Sequence, residues 1–311
     1  MKLFVKPFYV SLKPFLDYRR LACPTPWEQV FGNDKPLEVE IGFGNGEHLA
    51  RLSKSCPQTN FVGLEEYGQR IHKTLRKLSR IKTENVRVLR MDVRPAFGYL
   101  FHPKLIQYIH CLYPPPWPKK SDAKHRLFTT DFLQLVNSRL VDGGVLKIVT
   151  DHYPYVTWIE EQLPGSGFDM RLNRVAAVHD TKFERKWVQG GQEEFYELLL
   201  TKQQSVDRIQ KKGAALKHYT LEHFDPDRFC MEDFSAAGIA VVFRDLLYDA
   251  KRKTALVHVL VNDEDVLQNI RIVISHTPAG WRMNLAEGTM LMPTAGVAQA
   301  LELVYQAALA T

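Results

Sequence analysis

The sequence predicts a mostly parallel, doubly wound α/β sheet followed by a small α+β domain. Three observations carry this. Short apolar runs alternate with helix-period stretches from Leu37 to Leu200. The first run breaks into Gly42, Gly44 and Gly46 and turns helical at Glu47. A polar stretch, Gln203–Lys212, then separates this region from three further strand-like runs and a closing amphipathic helix.

In chain order, residues 1–36 hold no clear period and are rich in Pro, Lys and aromatics, so they read as an arm packed on the main domain. Leu37–Ile41 is the first strand, and a helix follows from Glu47 to about Lys54. Phe61–Leu64 is a second strand ending at Glu65-Glu66. Tyr67–Ser79 is a helix carrying Arg70, Lys73, Arg76 and Lys77, with Arg80 next. Val86–Met91 ends at Asp92, Leu105–Leu112 is the fourth strand, and Phe132–Leu140 is helical. Gly144–Val149 ends in Thr150-Asp151, with a helix near Tyr155–Gln162. Arg171–Val178 and Glu194–Leu200 close the sheet, separated by a loop. The main domain thus covers residues 37–202. Residues 213–311 form the smaller unit, with strands at Ala240–Phe243, Ala255–Val261 and Asn269–Ser275 and a helix at Val297–Leu309. Turns fall at Lys251-Arg252-Lys253 and Asp263-Glu264-Asp265.

Composition is that of an ordinary soluble chain: 311 residues, 45% hydrophobic and 24% charged. The four cysteines lie far apart with no CxxC pair, which argues against a zinc site or disulfide framework; no metal is expected, and a reducing cytoplasm fits. Lys6, Pro7, Lys13 and Pro14 interrupt any signal-peptide core, and no run approaches membrane-spanning length. Charge is unevenly placed. Residues 1–204 hold 30 Lys+Arg against 22 Asp+Glu, and residues 205–311 hold 11 against 13. A basic front part suggests a polyanionic partner there.

In a doubly wound sheet the ligand sits beyond the carboxyl ends of the strands. The residues there are Glu40, Gly42 and Gly44, then Glu65, then Asp92. The spacing is G-x-G-x-G, not the G-x-G-x-x-G of a dinucleotide site, and a glutamate two residues before the turn would repel a pyrophosphate. That carboxylate suits a cationic ligand such as the amino-acid end of S-adenosylmethionine. An acid ending the second strand is placed for a ribose diol, and one ending the third for an exocyclic amine. Each acid alone also reads as a solvated loop end; three facing one glycine turn favour an adenosyl cofactor. The second half of the sheet carries Tyr113-Pro114-Pro115-Pro116-Trp117-Pro118-Lys119, with Lys120, Lys124 and Arg126 following. A stiff aromatic-basic loop suits RNA, whose bases stack and whose phosphates need cations; a proline-rich surface loop with a buried Trp anchor is the alternative.

Together these pieces resemble the bacterial tRNA (guanine-N7)-methyltransferase family, the TrmB type. The matching segments are Glu40–Gly46, Gly63–Glu65, Met91-Asp92, Tyr113–Lys119, Thr150-Asp151 and Thr181-Lys182-Phe183-Glu184, within roughly residues 37–201. The resemblance implies a seven-stranded, Rossmann-like S-adenosylmethionine-dependent methyltransferase fold. It implies methylation of N7 of a variable-loop guanine (tRNA position 46), with tRNA as partner. It makes Glu40, Gly42, Gly44, Glu65 and Asp92 cofactor contacts, and Lys119, Asp151, Thr181, Lys182, Phe183 and Glu184 substrate contacts. The family's catalytic aspartate position is Pro115 here. Because guanine N7 carries a free lone pair, no general base is obligatory, and Asp151 is a candidate substitute. A relative that binds tRNA and cofactor without turnover is the alternative reading. A nucleotide-dependent oxidoreductase rests on the glycine turn alone. The resemblance does not reach residues 213–311, whose role stays open.

Overall fold

The computed structural model describes residues 9–192, 194–263, 266–289 and 291–311, apart from the side chains of Lys120 and Phe183. It divides into two units, one running to Lys211 and one from Lys212 to Thr311.

In the first unit the elements are β1 (Phe15–Leu16), α1 (Trp27–Phe31), β2 (Leu37–Ile41), α2 (Glu47–Ser55), β3 (Asn60–Glu65), α3 (Gly68–Ile81) and β4 (Val86–Arg90). They continue with α4 (Val93–Tyr99), β5 (Ile106–Leu112), α5 (Thr130–Arg139), β6 (Leu140–Thr150), α6 (Tyr153–Gln162), β7 (Phe168–Val175), α7 (Lys182–Gln189) and β8 (Phe195–Lys202). The sheet order is β1-β4-β3-β2-β5-β6-β8-β7, parallel except that β8 runs antiparallel to both β6 and β7. This is the expected seven-stranded arrangement with a two-residue edge strand added. The order reverses at β2, which pairs with both β3 and β5. A crevice therefore opens beyond its carboxyl end, at the glycine turn.

The central strands are buried because helices cover them; all six residues of β3 are buried, and a side chain at Gly63 would run into Phe43 and Leu49. Helix α3 lays Ile71, Leu75 and Leu78 on this core and turns its charged residues outward.

Besides the five-residue α1 in the arm, two helices escaped the sequence reading. In α4, Pro95 and Gly98 blur the period, but Asp92 caps it by accepting from Arg94 N at 2.7 Å, and a proline in the first turn costs no internal hydrogen bond. The stretch read as a loop before the last strand holds α7, started by a reciprocal cap. Thr181 Oγ1 accepts from Glu184 N at 3.2 Å, and Glu184 Oε2 accepts from Thr181 N at 3.3 Å. Nor does the polar stretch after β8 hang free. Gln203 N and Gln204 N donate to Gly167 O, Val206 N donates to Asn137 Oδ1, and Gln210 Nε2 donates to Gly98 O, so residues through Lys211 belong to the first unit. The N-terminal arm, described from Tyr9, is anchored by Trp27, which is buried, stacks on Phe101 and donates to Leu100 O at 3.1 Å.

The second unit is an antiparallel sheet covered by one helix. Its elements are β9 (Tyr219–Leu221), β10 (Phe234–Ala236), β11 (Ile239–Asp249), β12 (Thr254–Asp263), β13 (Val266–Thr277), β14 (Gly280–Leu285) and α8 (Ala295–Leu309). The order is β10-β11-β12-β13-β14-β9. Alternating Val257, Val259, Ile270 and Ile272 meet Val297, Leu301 and Val304 of α8. The three expected strands are longer than read, and β9, β10 and β14 add to them. The turn at Lys251–Lys253 is present. Of the other expected turn, Asp263 ends β12 and accepts from Gly296 N at 2.7 Å, while Glu264 and Asp265 lie outside the described residues. Among the described residues no helix is long and apolar enough to cross a membrane.

Candidate active site

A cavity of about 530 Å³ opens at the carboxyl ends of β2, β3, β4 and β5. Its floor is the glycine turn. Gly42, Gly44 and Gly46 have φ of 66°, 57° and 73°, all in the left-handed region where a side chain is strained. A Cβ at Gly42 would project into open space, so the backbone there is bare toward the cavity. At Gly46 the reason differs: a Cβ would come within 2.5 Å of Thr74, so α3 seats directly on the turn.

The carboxylates at the strand ends are placed unequally. Glu65 is buried and nearly saturated. Its Oε2 accepts from Gly44 N at 3.0 Å, its Oε1 accepts from Glu66 N and Tyr67 N at 3.0 and 3.1 Å, and Arg70 Nη1 reaches both oxygens. It fixes the turn and the start of α3 as well as lining the cavity. Asp92 caps α4 and faces Glu66, whose carboxyl is held above its usual range by partial burial and by the Asp92 carboxylate beside it. Glu40 is the exception. It is only 3% exposed, lines the cavity, and its Oε2 has no hydrogen-bond partner. A buried acceptor left unpaired costs about 1–3 kcal/mol, more when charged.

Beneath Glu40 lies a group of imidazoles that the sequence reading missed. His48 Nδ1 is 3.4 Å from Glu40 Oε2, outside hydrogen-bonding alignment. Its ring packs edge-on against His110 and His179, with centroids 5.1 and 5.4 Å away. His110 Nε2 is 2.8 Å from Glu38 Oε2. Burial lowers the pKa of His110, and burial together with the Lys147 charge pushes His179 down to about 4, so both rings are neutral near pH 7. Glu38 and Glu40, on one face of β2, and the histidine two residues past Gly46 were the available signal.

The other wall is the proline loop. Tyr113 and Trp117 bracket the first three prolines with φ of 59° and 45°, a conformation that costs energy in non-glycine residues and must be held in place. The Tyr113 hydroxyl donates to Glu184 Oε1 at 2.8 Å, and Tyr113 N donates to Val149 O at 2.7 Å. Burial and that bond drive the Tyr113 hydroxyl well above its usual pKa. Arg126 is not the solvent-facing cation that the loop's charge suggested. It is buried, donates to Pro116 O and Trp117 O at 3.0 and 3.2 Å, and lies over the Trp158 ring. It clamps the loop from behind. Trp117, 39% exposed and 5.3 Å from the His125 ring, does offer an aromatic face to the cavity, which excludes the buried-anchor reading.

The cavity brings together Glu40, Gly42, Gly44, Glu65 and Asp92 with Pro115, Thr181 and Lys182. Lys119 and Asp151 do not line it. Asp151 follows β6 directly, close enough to Tyr113 to add to the upward shift of its hydroxyl. Glu184 is 1% exposed and sits behind the wall, accepting from Val178 N and His179 N as well as from Tyr113 and Thr181. The Phe183 side chain lies outside the described part.

An adenosyl cofactor with a cationic amino-acid end fits these residues: a bare glycine turn, an unpaired buried carboxylate beside it, and further acids at the next two strand ends. Sheet order and site together define the class, an S-adenosylmethionine-dependent methyltransferase. Comparison with known proteins narrows it. The family described as putative methyltransferase matches residues 34–197. A tRNA (guanine-N(7)-)-methyltransferase of Chlorobium phaeobacteroides is 34% identical over 202 residues, 62% of this chain and 99% of the relative. One of Thermotoga maritima is 30% identical over 64% of this chain and 65% of the relative. One of Aquifex aeolicus is 26% identical over 94% of this chain and 98% of the relative. The chain belongs to this family, the bacterial tRNA (guanine-N7)-methyltransferases. The Chlorobium relative is matched almost whole by under two thirds of this chain, whereas the Aquifex relative also spans the second unit.

Proposed function

We propose that the chain methylates N7 of a variable-loop guanine in tRNA, position 46, with S-adenosylmethionine as methyl donor, in the cytoplasm. The observation that carries this reading is the buried Glu40 carboxylate, which lines the same cavity as Trp117. One end is built for a cationic ligand and the other for a planar base.

The cofactor supplies an electrophilic methyl on a sulfonium. Glu40 would take its ammonium group, the Gly42–Gly44 backbone would lie against its amino-acid end, and Glu65 and Asp92 would meet its nucleoside end. Guanine N7 presents an unprotonated lone pair. As the nitrogen–carbon bond forms, the carbon–sulfur pair returns to sulfur, and no proton moves. The chain's contribution is therefore orientation by the Trp117 face and the stiff prolines, and compensation of the cationic purine. Lys119, Thr181, Lys182, Phe183 and Glu184 form the substrate side. Among them Glu184 acts through Tyr113 and the backbone of residues 178–181, which it holds in place. Asp151, which does not line the cavity but lies near Tyr113 on this wall, is the candidate for the compensating charge that Pro115 cannot supply. This requires Asp151→Asn to lose far more rate than Asp122→Asn.

The deciding assay is methyl transfer from labelled S-adenosylmethionine to two tRNA transcripts, one unmodified and one with the variable-loop guanine replaced by adenine. Label on the first alone, cleavable by chemistry specific for N7-methylguanine, is the expected result. No label, with cofactor and tRNA both bound, would overturn it.

A further inference from the structure

Helix α3 carries a feature that the cavity chemistry does not use. Over Gly68–Ile81 it has five Lys or Arg residues and no acid. Arg80 has a partner within the chain, and two more are spent at the glycine turn: Arg70 pairs with Glu65 at 3.2 Å, and Lys77 pairs with Glu47 at 2.6 Å while donating to Asn45 O. Both contacts pin the helix to the glycine turn. Lys73 and Arg76 are exposed and, among the described residues, make no ion pair. With Gln69 before them and Arg80 after, they follow the i+4, i+3, i+4 spacing of a single row on a helix. At about 1.5 Å rise per residue, Lys73 and Arg76 stand about 4.5 Å apart along the axis.

The row is not the generic charge of a solvated helix. Helices α2, α5 and α7 mix acids with bases and α6 carries Glu160 and Glu161 with no Lys or Arg, whereas α3 is basic throughout. Nor does the row lie far from the chemistry. Gln69, Arg70 and Lys73 line the cavity itself. A chain of phosphates on this row would run to the cavity mouth.

We propose that Lys73 and Arg76, on one row of α3, bind the sugar-phosphate backbone of the RNA whose base enters the cavity. The inference rests on the RNA-methylating reading and adds to it a docking surface separate from the proline loop. Each cation on the row holds a phosphate by charge alone, so the surface sets affinity and approach rather than base choice.

The test uses the full chain and an unmodified tRNA transcript, with binding measured across a salt series. Arg76→Gln should weaken binding about 3-fold, and Lys73→Gln with Arg76→Gln about 10-fold. The double variant should lower the slope of log affinity against log salt by about 1.4 to 1.8, as expected for two lost phosphate contacts. Lys54→Gln, an exposed cation at the end of α2 and off the row, should change affinity less than 2-fold. Both residues on the row are solvent-facing, so folding is preserved; unchanged melting temperatures would check this. An unchanged slope in the double variant would overturn the proposal, as would an equal loss in Lys54→Gln. Competition by poly-glutamate as strong as that by tRNA would also overturn it, because the row would then be a general anion surface. Failure of the unaltered chain to bind tRNA at all would instead sink the methyltransferase reading beneath it.

Discussion

On the glycine wall of the cavity, Glu65 accepts from three backbone N–H groups and Arg70, yet Glu40, on the neighbouring strand, is left with an oxygen unmet. On the proline wall the buried charges are used up internally. Glu184 is shared among Tyr113, Val178, His179 and Thr181, and Arg126 is bound to Pro116 and Trp117. One wall keeps a buried charge available for a ligand, and the other spends its buried charges on holding a strained backbone still. That division suits a reaction in which one partner is cationic and must be bound, while the other must only be aimed. A proton-transfer enzyme would need a free acid or base on the second wall.

The largest expected effect follows from the spent charges. Glu184→Ala would strand four donors, three of them backbone, and free Tyr113 and the start of α7 together. Loss of charged, buried hydrogen bonds of this kind costs about 3–5 kcal/mol. The denaturant midpoint should fall accordingly, and Glu184→Gln, which keeps one acceptor oxygen, should lose about half as much. A midpoint unchanged in Glu184→Ala would mean that the wall is held by something else. Next in size is Glu40→Gln. Removing the charge should weaken S-adenosylhomocysteine binding by about 30- to 100-fold, or 2–3 kcal/mol, while 5′-methylthioadenosine, which lacks the amino-acid end, should bind almost as before. Equal losses for both ligands, read by calorimetry, would refute the pairing of Glu40 with an ammonium group.

The two walls were unequally legible in the sequence. Glycines at every second position, with acids at three strand ends, are local signals, and the structure gathers Glu40, Gly42, Gly44, Glu65 and Asp92 into one cavity. The proline loop gave its position away but not its mechanics. Nothing local says that Arg126 turns inward, since its partners are carbonyls ten and nine residues back. Thr181 and Glu184 read equally as a substrate box and as a helix cap, and only the placement of Tyr113 shows that the cap also anchors the loop. The histidine group was invisible for the same reason. His48, His110 and His179 come from three distant segments and meet only once the sheet forms.

That group predicts an acid sensitivity of the fold. In the folded chain His179 titrates near 4, below its ordinary 6.5, so between those values the unfolded chain binds more protons and stability rises with pH. The stabilisation is fully present above about pH 6.5 and is lost on acidification toward 4. The expected loss between pH 7 and pH 5.5 is about 1 kcal/mol from His179, with His110, also lowered, acting in the same direction. His179→Asn should flatten the profile of unfolding free energy over that window. A profile as steep as before would assign the sensitivity to other groups.

The smallest effect is expected where the family difference looks greatest. Pro115 stands at the position of the family's aspartate, is exposed, and lines the cavity. If orientation dominates on this wall, a carboxylate there acts only through its charge on the purine, across a partly solvated gap, where such interactions are worth about 1 kcal/mol or less. Pro115→Asp should then raise kcat by no more than about 5-fold and leave the cofactor KM unchanged. The substitution also frees Pro114 from its steric restriction and loosens a loop whose stiffness aims the base, so part of the gain should be cancelled. A rise of 100-fold or more would break the comparison of the two walls. It would show that the chain lacks a charge that its proline wall needs, and that the stillness of Tyr113 and Trp117 compensates for little of it.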